Sequence, residues 1–156
     1  MVRVMATGVF DLLHLGHLFF LQEAKKLGDE LVVVVATDKT AKKLKHIPIT
    51  PQDMRVKMVG ELKPVDKVVL GYEDDRYKIV KELKPDIIAL GYDQKHDEEQ
   101  IKNDLKKMGL DIKVVRLKPL EYDLNGTRKI IRKVIDWYIF QTRMKEIEGK
   151  NEEDTD

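Results

Sequence analysis

The stretch Ala6-Thr7-Gly8-Val9-Phe10-Asp11-Leu12-Leu13-His14-Leu15-Gly16-His17 joins the first apolar run of the chain to its first helical pattern. It is the passage from a buried strand, through a short loop carrying glycine and two histidines, to a covering helix. Outward from it the same alternation repeats. Strands are expected at 2–5, 31–36, 67–70, 86–90 and 112–115, and helices at 17–27, 51–62, 75–83, 98–108 and 127–143. The run Leu-Val-Val-Val-Val-Ala at 31–36 is continuous and rich in β-branched residues, as a parallel strand covered on both faces requires. Such alternation implies right-handed crossovers. The expected architecture is therefore α/β: a single-domain, doubly wound (Rossmann-like) parallel sheet of about five strands with helices on both faces. Ligands of such sheets bind outside the strand carboxyl ends. That places the expected site in the segments after Met5, Ala36, Leu90 and Val115.

A chain of 156 residues suits one domain with a core that needs no staples. The domain is expected over 1–145, with 146–156 as a polar, disordered tail. Cysteine is absent, which excludes disulfides, thiolate metal sites and a cysteine nucleophile. A net charge of +1 with 37% charged residues gives no electrostatic case for nucleic acid as a partner. No apolar run approaches the roughly 20 residues of a membrane span, and no basic region precedes a cleavable apolar stretch. The expected location is cytoplasmic.

The first loop has the chemistry of a phosphate site. Backbone N–H groups at a helix N-terminus carry partial positive charge. Gly16 removes a Cβ from the approach of a phosphate, and Thr7 and Gly8 are expected to form the turn beside it. Two imidazoles, His14 and His17, can donate hydrogen bonds to charge developing on an α-phosphate. An isolated pair of histidines would read as a helix cap and a surface residue. The position after strand one, opening a helix, favours the phosphate reading. The loop is neither a G-x-G-x-x-G fingerprint nor a Walker A loop.

Thr-Gly-x-Phe-Asp followed by His-x-Gly-His resembles the HxGH nucleotidyltransferase (cytidylyltransferase-like) superfamily. By that resemblance His14 and His17 stabilise the transition state at the α-phosphate. Thr7, Gly8, Val9, Phe10 and Gly16 belong to the nucleotide loop. The lysine-rich stretch at 39–46 and the following helix imply phosphate contacts from Lys45 (Lys42 beside it) and Arg55, although a solvated loop and a surface arginine would look the same. Asp93, after Leu90-Gly91-Tyr92, implies a contact to ribose or base, or else a helix cap. Tyr122 and Thr127 precede and open the last helix where the superfamily holds β- and γ-phosphates. Asn125 and Gly126 depart from its serine-rich turn there.

The segments at 62–71 and 83–94 resemble archaeal-type FAD synthetases more than glycerol-3-phosphate cytidylyltransferases. The resemblance then implies ATP as donor and FMN as acceptor, the alternative being CTP and glycerol 3-phosphate. No metal-ligand cluster stands out in the sequence, and a triphosphate is expected to arrive with Mg2+ or another divalent cation that keeps much of its water. A non-catalytic nucleotide sensor on the same fold is the alternative from a different class. A flavin- or NAD-dependent oxidoreductase is disfavoured by the missing glycine fingerprint. Trp137 and Phe140 read as core or interface residues rather than stacking platforms, and the last helix leaves a homodimer open.

Overall fold

The computed structural model describes residues 1–44 and 47–153, with side chains through residue 150. The elements follow in the order β1 (Arg3–Gly8), α1 (Leu15–Lys25), β2 (Glu30–Val35), α2 (Asp38–Lys43), α3 (Gln52–Gly60), β3 (Lys67–Leu70), α4 (Arg76–Leu83), β4 (Ile87–Leu90), α5 (Glu98–Lys107), β5 (Lys113–Arg116) and α6 (Thr127–Glu153). The five strands form one parallel sheet in the order β3-β2-β1-β4-β5.

The period of two along each strand sorts the core into two layers. Met5, Val32, Val34, Ile88, Leu90 and Val114 face Ile79, Val80 and Leu83 of α4 and Ile101 and Leu105 of α5. Val4, Ala6, Leu31, Val33, Val35 and Ala89 face Leu21 and Ala24 of α1 and Val59 of α3. The sheet is thus doubly wound. Strand order reverses between β1 and β4: β2 and β3 lie to one side of β1, β4 and β5 to the other. The crevice for a ligand opens at their carboxyl ends.

Two boundaries differ from the sequence expectation by more than two residues. β1 runs to Gly8, because Thr7 and Gly8 continue the parallel register against Val34 and Val35. They end a strand rather than form a turn. The last helix continues past 145 to Glu153, so 146–153 is not the unstructured segment expected of it. Lysine and glutamate, polar though they are, are good helix formers. Trp137 and Phe140 are not core residues either. Their residues are 61% and 60% exposed, because the domain covers only the first turn of α6. Among the described residues no helix is long and apolar enough to cross a membrane.

Candidate active site

Helix α1 begins with a cap built from the two histidines. His14 is the N-cap residue, in extended conformation, and its Nδ1 accepts a hydrogen bond from the Gly16 N–H at 3.0 Å. Nδ1 of His17 accepts from the His14 N–H at 3.4 Å, which completes a capping box made of imidazoles. A neutral imidazole that accepts at Nδ1 carries its proton at Nε2. The cap therefore fixes the tautomer of both rings and makes Nε2–H the donor of each. The rings stack with centroids 3.8 Å apart at 29°, which sets the two donors beside each other. Burial pulls the pKa of His14 below its ordinary 6.5, against an upward pull from the carboxylate of Asp93. A neutral, donating His14 is the form this environment favours at neutral pH. The same helix end offers its uncapped N–H groups to an anion.

Loop residues 9–13 support this pair from below. Phe10 and Leu12 have positive φ, at 55° and 53°, a conformation that costs an L-residue energy and persists where packing over-determines it. Phe10 is buried, its ring lying on Gly8 and 5.5 Å from the ring of His17. A Cβ on Gly8 would come within 2.8 Å of that ring. The Phe10 ring is thus a wedge under His17. Glycine at position 16 also has a reason within the protein. A Cβ there would sit 2.5 Å from the Asn125 carbonyl oxygen, so Gly16 admits the segment leading into α6 against α1.

Arg55 is the clearest correction among the expected phosphate contacts. It is 1% exposed and faces the interior. Its Nε donates to the Thr50 carbonyl, Nη1 to the carbonyls of Val9 and Ala36 at 2.7 and 2.8 Å, and Nη2 to the Asp38 carboxylate at 2.7 Å. With four bonds made inside the protein, the guanidinium clamps the ends of β1 and β2 to the start of α3. Lys45 lies outside the described residues. The basic segment before it is helical as α2, capped by Thr37, whose side chain accepts from the Thr40 N–H at 3.1 Å. Lys42 is exposed on that helix.

Asp11 was legible only as part of the motif. It is 2% exposed and its carboxylate accepts from the N–H groups of Ile49 and Thr50 and from the Thr50 hydroxyl. Its own carbonyl accepts from the Thr127 hydroxyl at 2.8 Å. Thr127 therefore ties α6 to the first loop. Tyr122 is exposed on the loop before α6, and its carbonyl accepts from the Asn125 N–H.

Across the crevice, Asp93 is exposed on the loop after β4. It does not cap a helix, because Asp97 caps α5. Two side chains missed in the sequence hold this loop. Gln94 donates from Nε2 to the Thr7 carbonyl at 2.6 Å and accepts from the Gly91 N–H at 2.9 Å, which bridges the ends of β1 and β4. Arg116, at the end of β5, donates to the carbonyls of Gly91, Gln94 and His96 and pairs with Glu98. Burial, then the charges of Arg76 and Arg116, hold the pKa of His96 below its ordinary value. The available signal was a lone arginine closing an apolar strand, Val114-Val115-Arg116.

The cytidylyltransferase-like family model matches residues 5–148. A protein of Aciduliprofundum boonei named FAD synthase is 63% identical over 137 residues, covering 87% of this chain and 92% of that protein. One of the same name from Thermoplasma acidophilum is 53% identical over 136 residues, covering 87% and 96%. Among solved structures, a Thermoplasma volcanium protein described as a lipopolysaccharide core biosynthesis protein superposes with a TM-score of 0.77 at 55% identity, over 78% of this chain and 99% of that one. With a histidine-capped α1 at the switch point of a doubly wound sheet, and a match spanning nearly its whole length, this chain belongs to the cytidylyltransferase-like family.

Proposed function

We propose that this chain is an FAD synthase, an enzyme that transfers AMP from ATP to FMN and releases pyrophosphate. The observation that carries the reading is the histidine cap: two stacked imidazoles, each with its proton fixed at Nε2, at a helix N-terminus beside the switch-point crevice. Relatives named FAD synthase, 63% and 53% identical, support ATP and FMN as the substrate pair.

In the proposed reaction a phosphate oxygen of FMN attacks the α-phosphorus of ATP in line. The new P–O bond forms as the bond to the β-phosphate bridging oxygen breaks, and pyrophosphate leaves with the electron pair. Charge grows on the equatorial oxygens of the α-phosphate, where donors that need no rearrangement are worth most. His14 and His17 supply those donors, and the α1 N-terminus adds its dipole. Asp93 suits a ribose hydroxyl or a base amine as acceptor. A divalent cation, Mg2+ or another, arrives on the triphosphate and keeps much of its water. Phosphate oxygens are its natural ligands.

We place the reaction in the cytoplasm and the protein in a homodimer. Val134, Ile135, Tyr138 and Ile139 share one face of α6, and each is at least 43% exposed. A second α6 packed there would cover the stripe. Light scattering at twice the 18.2 kDa chain mass is the expected result.

The test of function is pyrophosphate release from ATP or CTP, each with FMN or glycerol 3-phosphate. The proposal requires release with ATP and FMN, and FAD by mass. Release only with CTP and glycerol 3-phosphate would replace it.

A further inference from the structure

We infer that Gln94 is a positioning residue that sets the width of the nucleotide crevice, its side-chain amide replacing a rung that the two halves of the sheet no longer share; this rests on the nucleotide reading above. The parallel ladder between β1 and β4 ends at Ala6 and Ala89. Away from the crevice each strand goes further. On the β2 side, β1 stays in register to Gly8 and Val35, and the Ala36 N–H still donates to the Gly8 carbonyl at 2.9 Å. On the β5 side, β4 stays in register to Leu90 and Arg116, and the Leu117 N–H donates to the Leu90 carbonyl at 2.8 Å. The sheet therefore forks at its switch point, with one prong led by β1 and the other by β4.

Gln94 spans the fork. Its Nε2 donates to the Thr7 carbonyl on one prong at 2.6 Å, and its Oε1 accepts from the Gly91 N–H on the other at 2.9 Å. A donor meets an acceptor at each end, so the amide has one orientation and turning it over would lose both bonds. An amide interposed in this way holds a carbonyl and an N–H further apart than the roughly 2.9 Å of a direct bond. The bridge is sheltered, since Gly91 is buried and Thr7 and Gln94 are half-buried. From behind, Arg116 donates to the carbonyls of Gly91 and Gln94 at 2.8 and 2.9 Å, so the far end of the bridge is itself fixed.

Both prongs carry groups that one nucleotide has to reach. The β1 prong leads into His14 and His17, and the β4 prong carries Asp93. In a nucleoside triphosphate the α-phosphorus and the ribose are joined through one oxygen and one carbon, so covalent geometry fixes their separation. The spacing of the prongs has to match it. A triphosphate alone meets the first prong and a nucleoside alone meets the second. The whole nucleotide gains from holding both at once, and that gain is lost when the spacing forbids it.

The experiment measures ATP binding by calorimetry, and the binding of inorganic tripolyphosphate and of adenosine by displacement of ATP. It uses the full chain, Gln94→Ala and Gln94→Glu, each shown to be folded by urea unfolding. The expected result for Gln94→Ala is a Kd for ATP raised about fivefold, with both fragments within about twofold of the unsubstituted protein. Gln94→Glu still accepts from the Gly91 N–H but turns an oxygen on the Thr7 carbonyl, so its loss at neutral pH should be the larger. That loss, taken relative to the unsubstituted protein at each pH, should shrink in acid, where the protonated side chain donates to Thr7 again. His14, Asp93, His96, Glu98 and Arg116 surround this loop in all three proteins, so the ratio isolates position 94. An unchanged Kd for ATP in Gln94→Ala would overturn the assignment. So would a rise for adenosine as large as that for ATP, which would make Gln94 a support of its own loop only, or a Gln94→Glu loss indifferent to pH. If the unsubstituted protein binds CTP in place of ATP, the same pattern with CTP and cytidine upholds the bridge. Binding of neither nucleotide would remove the nucleotide reading and the bridge's role with it.

Discussion

The first loop with α1 and the body of α6 are held in opposite ways. Between Thr7 and His17, the loop is held by partners inside the protein. Thr7 is held by Gln94, Val9 by Arg55, Asp11 by Ile49, Thr50 and Thr127, and the two histidines by the backbone of their own helix. Residues 132–150 of α6 are all exposed, and the apolar ones among them touch no core layer. The first region is built so that donors meet a developing charge without rearranging. The second presents side chains outward, where a second subunit can use them. Rigidity and availability have been divided between two helices, and the segment leading into the second meets the first at Gly16.

That contrast can be broken in order of expected effect. Arg55→Met leaves three carbonyls and the part-exposed Asp38 carboxylate without their donor; with bonds to a charged group worth about 1.5–3 kcal/mol each, the loss should be about 3 kcal/mol or more in urea unfolding. Arg143→Ala on α6 should stay within about 0.5 kcal/mol. Equal costs would abolish the distinction. His17→Ala removes one donor at the α-phosphate and should lower kcat about 100- to 1000-fold with a small change in KM. A kcat near that of the unsubstituted protein would move the catalytic role elsewhere.

Arg116→Ala loosens the loop that carries Asp93 from behind. Bonds to a charged group are worth about 1.5–3 kcal/mol, so the KM for ATP should rise tenfold or more, while the KM for FMN stays put. Gln94→Ala should act the same way but less, at about 0.5–1.5 kcal/mol. A rise in the KM for FMN instead would place this loop on the acceptor side.

The smallest effect is in pH. Protonated His14 cannot accept from the Gly16 N–H, and burial lowers its pKa from 6.5. kcat/KM should stay level as pH falls past 6.5 and drop only below it. Stability follows the same sign. The unfolded chain takes the proton at the ordinary value and the folded chain only at lower pH. His14's contribution is therefore whole above 6.5 and is lost as pH falls through the folded value. A bend in kcat/KM at or above 6.5 would mean that Asp93 outweighs burial.

The fold was legible because hydrophobic period is a local property. A run such as Leu31-Val32-Val33-Val34-Val35 is read within a few residues, and all five strands fell where the apolar runs placed them. The histidine pair was legible for the same reason, since His14, Gly16 and His17 lie within one helical turn. Arg55 was misread because its direction depends on partners 17 to 46 residues away, and a helix pattern cannot say which way a guanidinium turns. Gln94 and Arg116 were missed on the same account. Their partners meet only when β1, β4 and β5 are side by side. The length of α6 was underestimated because its continuation carries no apolar face of its own to mark it.

The imidazole cap of α1 has a practical consequence for anyone wanting an inactive control. Alanine at position 14 would delete a reagent and also unfasten the start of the helix, a loss of about 1 kcal/mol at an ordinary N-cap. Asparagine keeps a side-chain acceptor for the backbone while removing the ring and its Nε2 proton. His14→Asn is therefore the substitution that separates chemistry from architecture at this position, and an enzyme whose reagents double as fasteners can be silenced cleanly only by such a replacement.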